Sequence, residues 1–533
     1  MKYIDYIALS PKDQFKYKMK LMGTNIKDGF LGFFVAIGQF FVTLYNKFIS
    51  LCKQVGYAFV SGDIWTKLSF LFLGTSHIAR GQILKGIIYL VIEGLFIFYL
   101  CMFGIASLEG LFTLGTHSTY YQIIAVEPGA VVPEELVGKK FFEGSMAQII
   151  AQQYSGLDIQ QFRGDNSSLL LLFGIIAVIL LVGFIIFYFK TIKASMDVQE
   201  KKEAHVYLNT AFDDFRDLMD GKFYKVLLFL PVAGICIFTI LPIIDMIMMA
   251  FTNYDTHHQY PASLFSWVGL QNFIELFGGG GGVGGSNFGY TFFHILLWTL
   301  VWAFFATFLN YFLGIIVAMI INKKGIKFKK VFRTMFVLSI AMPQFISLLA
   351  WNKFLTNGGF VESLLKSLGW MDPLSKLTIL EYPTSARITI ILVNLWVGVP
   401  YTILSTTGIL MNIPADLYES AQIDGASPSK MYFKITLPYI LFVTGPYLIQ
   451  QFVGNINNFN VIYFLTGGNP LTQDYMKAGK TDLLVTWLYK LTVNEQAYNL
   501  GAVIGIMVFV VCAFFSLIAY KNSSAVKNEE DFA

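Results

Sequence analysis

The chain has 533 residues, 55% of them hydrophobic and 17% aromatic, with only 14% charged and a formal net charge of +4. At a mean hydropathy of +0.60, this composition excludes an ordinary soluble domain, and the clustering of the few basic residues points to membrane topology rather than nucleic-acid binding. The four cysteines, Cys52, Cys101, Cys236 and Cys512, are far apart and mostly inside apolar runs, which suits packing better than metal or disulfide chemistry.

The N-terminal stretch MKYIDYIALSPKDQFKYKMK lacks the basic region and apolar core of a cleavable signal peptide, so the first span is expected to direct insertion itself. Residues 1–82 read as a cytoplasmic or interfacial region. Within them the run 30–45 is short for a span and is interrupted by Gln39, so it reads as an interfacial or packed helix, with a ninth span as the alternative.

Eight apolar runs are long enough to cross a hydrocarbon layer of ~30 Å: 83–107, 169–189, 226–251, 293–321, 331–355, 386–411, 437–465 and 500–520. The 108–168 connection carries three basic and seven acidic residues, and 252–292 has no Lys or Arg. By contrast 190–225 has seven basic residues and 322–333, NKKGIKFKKVFR, has six. The positive-inside rule then places both termini, including the tail 521–533, in the cytoplasm. The expected fold is an all-α polytopic membrane protein, with a two-span addition over 83–225 in front of a six-helix core over 226–520.

Glycines fill most of 278–285, but no Lys-Ser/Thr pair follows, so the run reads as a flexible outer linker and not a phosphate loop. Glu93 and Asp245 fall inside spans, where acids are suspects for function. In the sixth run Asn394, Gly398 and Tyr401 recur at i, i+4 and i+7 on one helix face. Asn455 and Asn458 share a face of the next span, with Asn457 and Asn460 read as pointing elsewhere, and Gln344 follows Pro343 in the fifth. Amides and phenols suit the hydroxyls and apolar faces of a sugar. The alternative for the same groups is hydrogen bonding between helices.

Between the sixth and seventh runs lies a polar island, ESAQIDGASPSK (419–430). Pro414 suits a first helical turn, Gly425 suits a left-handed helix end, and Ser427-Pro428 suits an N-cap followed by a first-turn proline. Two helices meeting at an angle are expected over 412–438, on the cytoplasmic surface.

The spacing Glu419-Ser420-Ala421, Gly425, Ile435, Leu437-Pro438 resembles the EAA loop of ABC-importer permeases, with Ser420 in place of the middle alanine. PVAGICIFTILPIIDMIMMAFTNYD, WVGLQNF, FRTMFVLSIAMPQFISLLAW, VNLWVGVPY, NNFNVIYFLTGGNP and AGKTDLLVTWLYKLT resemble the larger permease subunit of the maltose/maltodextrin type, and LSFLFLGTSHIARGQILKGIIYL resembles the two-span front of that subgroup. The resemblance implies a type I importer core that is not itself an enzyme. Its expected partners are a second homologous permease, two copies of an ABC ATPase that consume ATP and Mg²⁺, and an extracellular sugar-binding protein; this chain would hold no cofactor.

Glu419, Ser420, Ala421, Gly425, Ile435, Leu437 and Pro438 would couple to the ATPase. Gln344, Asn394, Gly398, Tyr401, Asn455 and Asn458 would line a sugar pathway. Ile340 and Gly454 stand where the enterobacterial type has aromatics, which implies a less stacked, roomier pocket. Maltodextrin is the favoured substrate, with galacto-oligosaccharide the neighbouring choice. An ion-coupled secondary transporter is the competing class; a membrane enzyme is disfavoured because the six histidines and the spans form no catalytic or metal-ligand spacing.

Overall fold

The computed structural model describes residues 35, 38–116, 120–126, 139–141, 149–150, 157–162, 164–259, 264–278, 287–323 and 325–522. The readings made for 1–34, for the glycine run beyond Gly278 and for the tail beyond 522 lie outside the described residues. Packing divides the chain into two compact units, Val35–Asn272 with Ala497–Asn499, and Phe273–Gln496 with the chain from Leu500.

The first unit holds helix α1 over 38–61, α2 (Ile83–Phe112), α3 (Ser167–Glu203) and α4 (Phe223–Met249). Asn166 caps α3, its side chain accepting from the Ser168 and Leu169 N–H groups. The 37 residues of α3 correspond to about 55 Å of helix, so it continues well past the apolar run read as a span. That extension is tied down by the segment 63–80. Thr66 Oγ1 donates to Gln199 Oε1 at 2.8 Å and Ser76 Oγ donates to the Ser195 carbonyl at 3.1 Å, while within the segment itself Arg80 pairs with Asp63 at 2.8 Å. Glu93 accepts from the Leu73 N–H at 2.8 Å, so this acid anchors a neighbouring turn.

α4 widens into a π-turn at Cys236–Ile240, just ahead of Pro242, whose missing N–H breaks the regular ladder. Leu241, Ile244 and Met248 pack on buried Leu171, Ile175 and Phe265. This contact groups α4 with the N-terminal unit, whereas loop spacing alone groups it with the later spans. Within the 108–168 connection a small antiparallel sheet forms, ordered β2-β1-β3, from β1 (Tyr120–Val126), β2 (Lys140–Phe141) and β3 (Leu157–Phe162).

The second unit is built on α5 (Phe288–Asn322), α6 (Lys329–Ala341), α7 (Gln344–Leu355), α8 (Phe360–Ser367), α9 (Pro383–Met411), α10 (Ala415–Ile423), α11 (Leu437–Ile456), α12 (Phe459–Leu465), α13 (Leu484–Tyr489) and α14 (Tyr498–Asn522). The run 331–355, expected to be interrupted at Pro343, is a bent pair in which α6 and α7 meet at 92°. Met342 and Pro343 are extended there, because the proline ring denies its predecessor the helical region. The reading of 437–465 as one span is corrected, since α11 stops at Ile456 and Asn458 starts α12 as its N-cap.

α5 and α9 form the spine of this unit. Gly314 on α5 leaves room for the Thr402 side chain, and Gly398 on α9 leaves room for the Asn310 amide, so the two backbones approach closely. Trp298 and Trp302, with Leu348, Ile390, Val393, Val461, Ile462 and Leu465, make the buried core around them.

Candidate functional site

The polar faces of α5, α9 and α11 converge on a cavity of about 250 Å³. α5 contributes Thr307, Asn310 and Tyr311. α9 contributes Asn394, Gly398, Tyr401 and Thr402, and α11 contributes Tyr447, Gln451 and Asn455. Gln344 and Asn458, at the starts of α7 and α12, complete the wall, so the structure brings all six sequence-predicted pathway residues to one cavity.

Part of this polar lining is satisfied internally. Asn455 Nδ2 donates to Thr307 Oγ1 at 3.0 Å, and Asn458 Nδ2 donates to Asn455 Oδ1 at 3.4 Å while Asn458 Oδ1 caps α12 through the Val461 N–H. Tyr311 and Thr444 share a hydroxyl hydrogen bond of 2.5 Å. The remainder is not. Asn310 donates to the Ala306 carbonyl at 2.7 Å, but its own side-chain oxygen is buried with no acceptor role filled. The side chains of Asn394, Tyr401, Tyr447 and Gln451 likewise have no hydrogen-bond partner among the described residues. Of these groups Asn394 is buried, Tyr447 half-buried and Tyr401 and Gln451 exposed, and the Asn310 oxygen is the cavity atom that is itself buried without a partner, a cost unless a ligand or water meets it.

As expected, neither Asn457 nor Asn460 lines the cavity: Asn457 turns to the buried Cys512 thiol at 3.3 Å, and Asn460 donates to Gln344 Oε1 at 3.4 Å and so supports a cavity residue. Thr307, Asn310, Tyr311, Tyr447 and Gln451 belong to the cavity and were not singled out from sequence. Their signal was the spacing 307/310/311 and 447/451/455 inside apolar runs. Gly454 has open space where a Cβ would stand, and the rings at the cavity come from Tyr311, Tyr401 and Tyr447.

At the far end of α9 lies the polar island. α10 starts at Ala415 with Pro414 as its N-cap, one residue earlier than a first-turn role. Its C-terminus closes through two reverse hydrogen bonds, Ala426 N–H to the Ala421 carbonyl at 2.9 Å and Gly425 N–H to the Gln422 carbonyl at 3.0 Å. This closure needs the left-handed backbone that Gly425 supplies at φ +71°. Ser427 then caps the next turn, accepting from the Lys430 N–H at 3.3 Å, and the chain passes through a π-turn at Tyr432–Thr436 into Leu437 and Pro438. A hydroxyl contact of 2.8 Å between Tyr418 and Thr436 ties α10 to that following segment.

Glu419, Ser420 and Gly425 are exposed, Ala421, Ile435 and Leu437 are half-buried and Pro438 is exposed. Ile423 is 86% exposed, and Leu417 and Phe433 are exposed as well.

Asp245, the second acid read as a candidate, has one carboxyl oxygen buried without a partner in the first unit and is not part of the cavity. Among the described residues no group of three or more His, Cys, Asp or Glu is placed to hold a metal.

Among the described residues, six helices long and apolar enough to span a bilayer, two more bent pairs, a polar cavity satisfied only in part and a capped surface loop define a multi-pass membrane transport subunit. The family model described as "Binding-protein-dependent transport system inner membrane component" matches residues 310–527. Another, "C4-dicarboxylate anaerobic carrier", matches residues 141–256, a stretch that contributes nothing to the cavity. The maltodextrin transport system permease protein MdxF of Bacillus subtilis is 33% identical over 463 residues, covering 86% of this chain and 95% of that one. The galactooligosaccharides transport system permease protein GanP of the same organism is 35% identical over 368 residues, 68% of this chain and 85% of that one. The maltodextrin permease protein MalC of Streptococcus pneumoniae is 30% identical over 373 residues, 69% and 84%. The chain belongs to this family, the binding-protein-dependent ABC importer permeases, among the sugar permeases of the maltodextrin type.

Proposed function

We infer that this chain is the larger permease subunit of an ATP-driven importer that moves an oligosaccharide inward by alternating access. The observation that carries this reading is the cavity, in which Asn394, Asn310, Tyr401, Tyr447 and Gln451 offer hydrogen-bonding groups that the protein leaves open. Such groups suit sugar hydroxyls, and the three tyrosine rings suit pyranose faces. At about 250 Å³ the cavity is small against the roughly 300–1,000 Å³ of usual ligand sites. A second, homologous permease would supply the facing wall.

Energy would enter through α10. Tyr401 and Asn412 are eleven residues apart, or about 16 Å of helix, and both neighbours of the loop, α9 and α11, contribute cavity residues. A push on α10 by one of two ABC ATPase copies would therefore reach the walls directly. Glu419 would contact the ATPase and Gly425 would set the angle between the helices. ATP and Mg²⁺ belong to that subunit, and this chain is non-catalytic.

The asymmetry of basic residues supports both termini inside a bacterial cell membrane, with an extracellular binding protein delivering the sugar on the opposite face. Maltodextrin is the favoured cargo and galacto-oligosaccharide the alternative, both from the relatives' substrates. The test is to co-purify the chain with its partners, reconstitute them in vesicles, and measure ATPase activity across a panel of glycans. Stimulation by α-glucans is expected. Activity that ignores every glycan, or uptake that collapses with an ionophore instead of with ATP depletion, would overturn the reading.

A further inference from the structure

Between α3 and α4 lies a short helix, Ala211–Met219, that takes no part in the cavity or in the polar island. A capping box closes its start: the Thr210 hydroxyl accepts from the Asp213 N–H at 3.3 Å, and the Asp213 carboxylate accepts from the Thr210 N–H at 2.8 Å. Its other end stops in a tight turn, in which the Lys222 N–H donates to the Asp217 carbonyl at 2.7 Å, and α4 begins at Phe223.

At 3.6 residues per turn, apolar and charged side chains separate along this helix. Phe212, Phe215, Leu218 and Met219 share one face. Asp213 and Asp217 take the opposite face, continued by Asp220 at the helix end, and Asp214 lies on a flank between the two. None of its residues is buried, and Phe212 and Phe215 are 73% and 57% exposed. Two aromatic rings, a leucine and a methionine on one face are unfavourable in water, so that face has a cover.

The level of the helix is fixed at two points. α2, α3 and α4 are consecutive spans, so α2 and α4 enter the bilayer from the same side. At the start of α2, Gln82 donates to the Asn209 carbonyl at 2.9 Å, and Lys85 lies 3.8 Å from Asp214 on the flank of the helix. At the start of α4, the exposed rings of Phe223 and Tyr224 stand between Lys222 and Lys225, a pattern that marks the boundary of membrane and water. The helix therefore lies level with the points where two spans enter hydrocarbon. A soluble partner approaching from water meets the aspartates at that level, whereas lipid meets the rings.

We propose that Ala211–Met219 is an interfacial anchor, lying in the bilayer surface beside the start of α2 with Phe212, Phe215, Leu218 and Met219 among the ends of the acyl chains, and so tying the start of α4 to that surface. Its charged face is acidic, so it is held by apolar burial and by its tether to α4, not by attraction to anionic headgroups. The inference is independent of the cargo and of the energy source proposed above.

The test uses the full chain in vesicles of phosphatidylethanolamine and phosphatidylglycerol, alone and with its co-purified partners. With Cys52, Cys101, Cys236 and Cys512 replaced, a nitroxide is attached in turn at Phe215→Cys, Leu218→Cys and Asp217→Cys. Its collisions with oxygen, which concentrates in lipid, are compared with those of a nickel chelate, which stays in water. The oxygen-to-nickel ratio is expected to be severalfold higher at 215 and 218 than at 217. All three positions are exposed, and resistance of each variant to alkaline extraction reports that the chain is inserted. Equal ratios at the three positions would put the whole helix in water and overturn the anchor. Labels at 215 and 218 shielded from both reagents would assign the face to a protein partner and overturn it as well.

Discussion

At Asn394 the decisive property is an amide that is 4% exposed yet has no partner in the protein among the described residues. Asn394→Leu removes a group expected to bond cargo, at about 1–3 kcal/mol, so apparent KM for sugar uptake should rise at least tenfold while the purified complex keeps its thermal midpoint. An unchanged KM would show that the amide serves packing. Gly398→Val acts on the same spot from behind, because any Cβ at 398 meets the Asn310 amide. The six cavity residues were legible from the helical spacing of Asn394, Gly398 and Tyr401 and of Asn455 and Asn458, from the place of Gln344 after Pro343, and from the resemblance that assigned them a sugar role. Asn310 was not, since its meaning depends on Gly398 opposite it, and that pairing exists only once α5 and α9 are packed.

Among the elements, α10 and its closing turn carry the sharpest expectation. Nothing stands within 4 Å of a Cβ at Gly425, so Gly425→Val has room but must distort the left-handed backbone, at about 1–2 kcal/mol. Membrane insertion should be normal, ATP hydrolysis should continue, and the sugar moved per ATP should fall severalfold; uptake equal to the parent's would count against coupling through this turn. The loop could be read from sequence because caps and glycine are local signals. The 92° bend could be read only in part: Pro343 announces a break, but its direction is set by α7 packing on α12, with Asn352 bonded to Leu465.

α8 offers a titration. Lys366, together with the Leu377 and Gly358 N–H groups, holds the Glu362 carboxyl down to about 2. A depressed folded pKa contributes stability that is complete above the ordinary value of about 4.3 and is lost as pH falls toward 2. The thermal midpoint of Glu362→Gln should therefore lie below the parent's at pH 7 and converge with it by about pH 2; a gap that persists at low pH would assign the effect to something other than ionisation.

For the whole molecule, the asymmetry of basic residues predicts which way it faces. With Cys52, Cys101, Cys236 and Cys512 replaced, a single cysteine at Asn357 should react with an impermeant thiol reagent from outside intact cells, and one at Ser429 only after permeabilisation. The reverse pattern would invert the assignment. Span number was legible from apolar length. The grouping of α4 with the first unit was not, because Leu241, Ile244 and Met248 are as apolar as their neighbours, and only packing distinguishes the side they take.

The turn after α10 closes on itself: Gly425 and Ala426 satisfy the helix carbonyls, Ser427 caps the next turn, and Tyr418 is bonded to Thr436. Such a loop is a finished key rather than a tail that folds on its lock. A partner that gripped it would have no backbone to order, leaving side-chain ordering as the conformational cost of contact. Under the coupling proposed above, the loop could be held and released repeatedly without refolding each time.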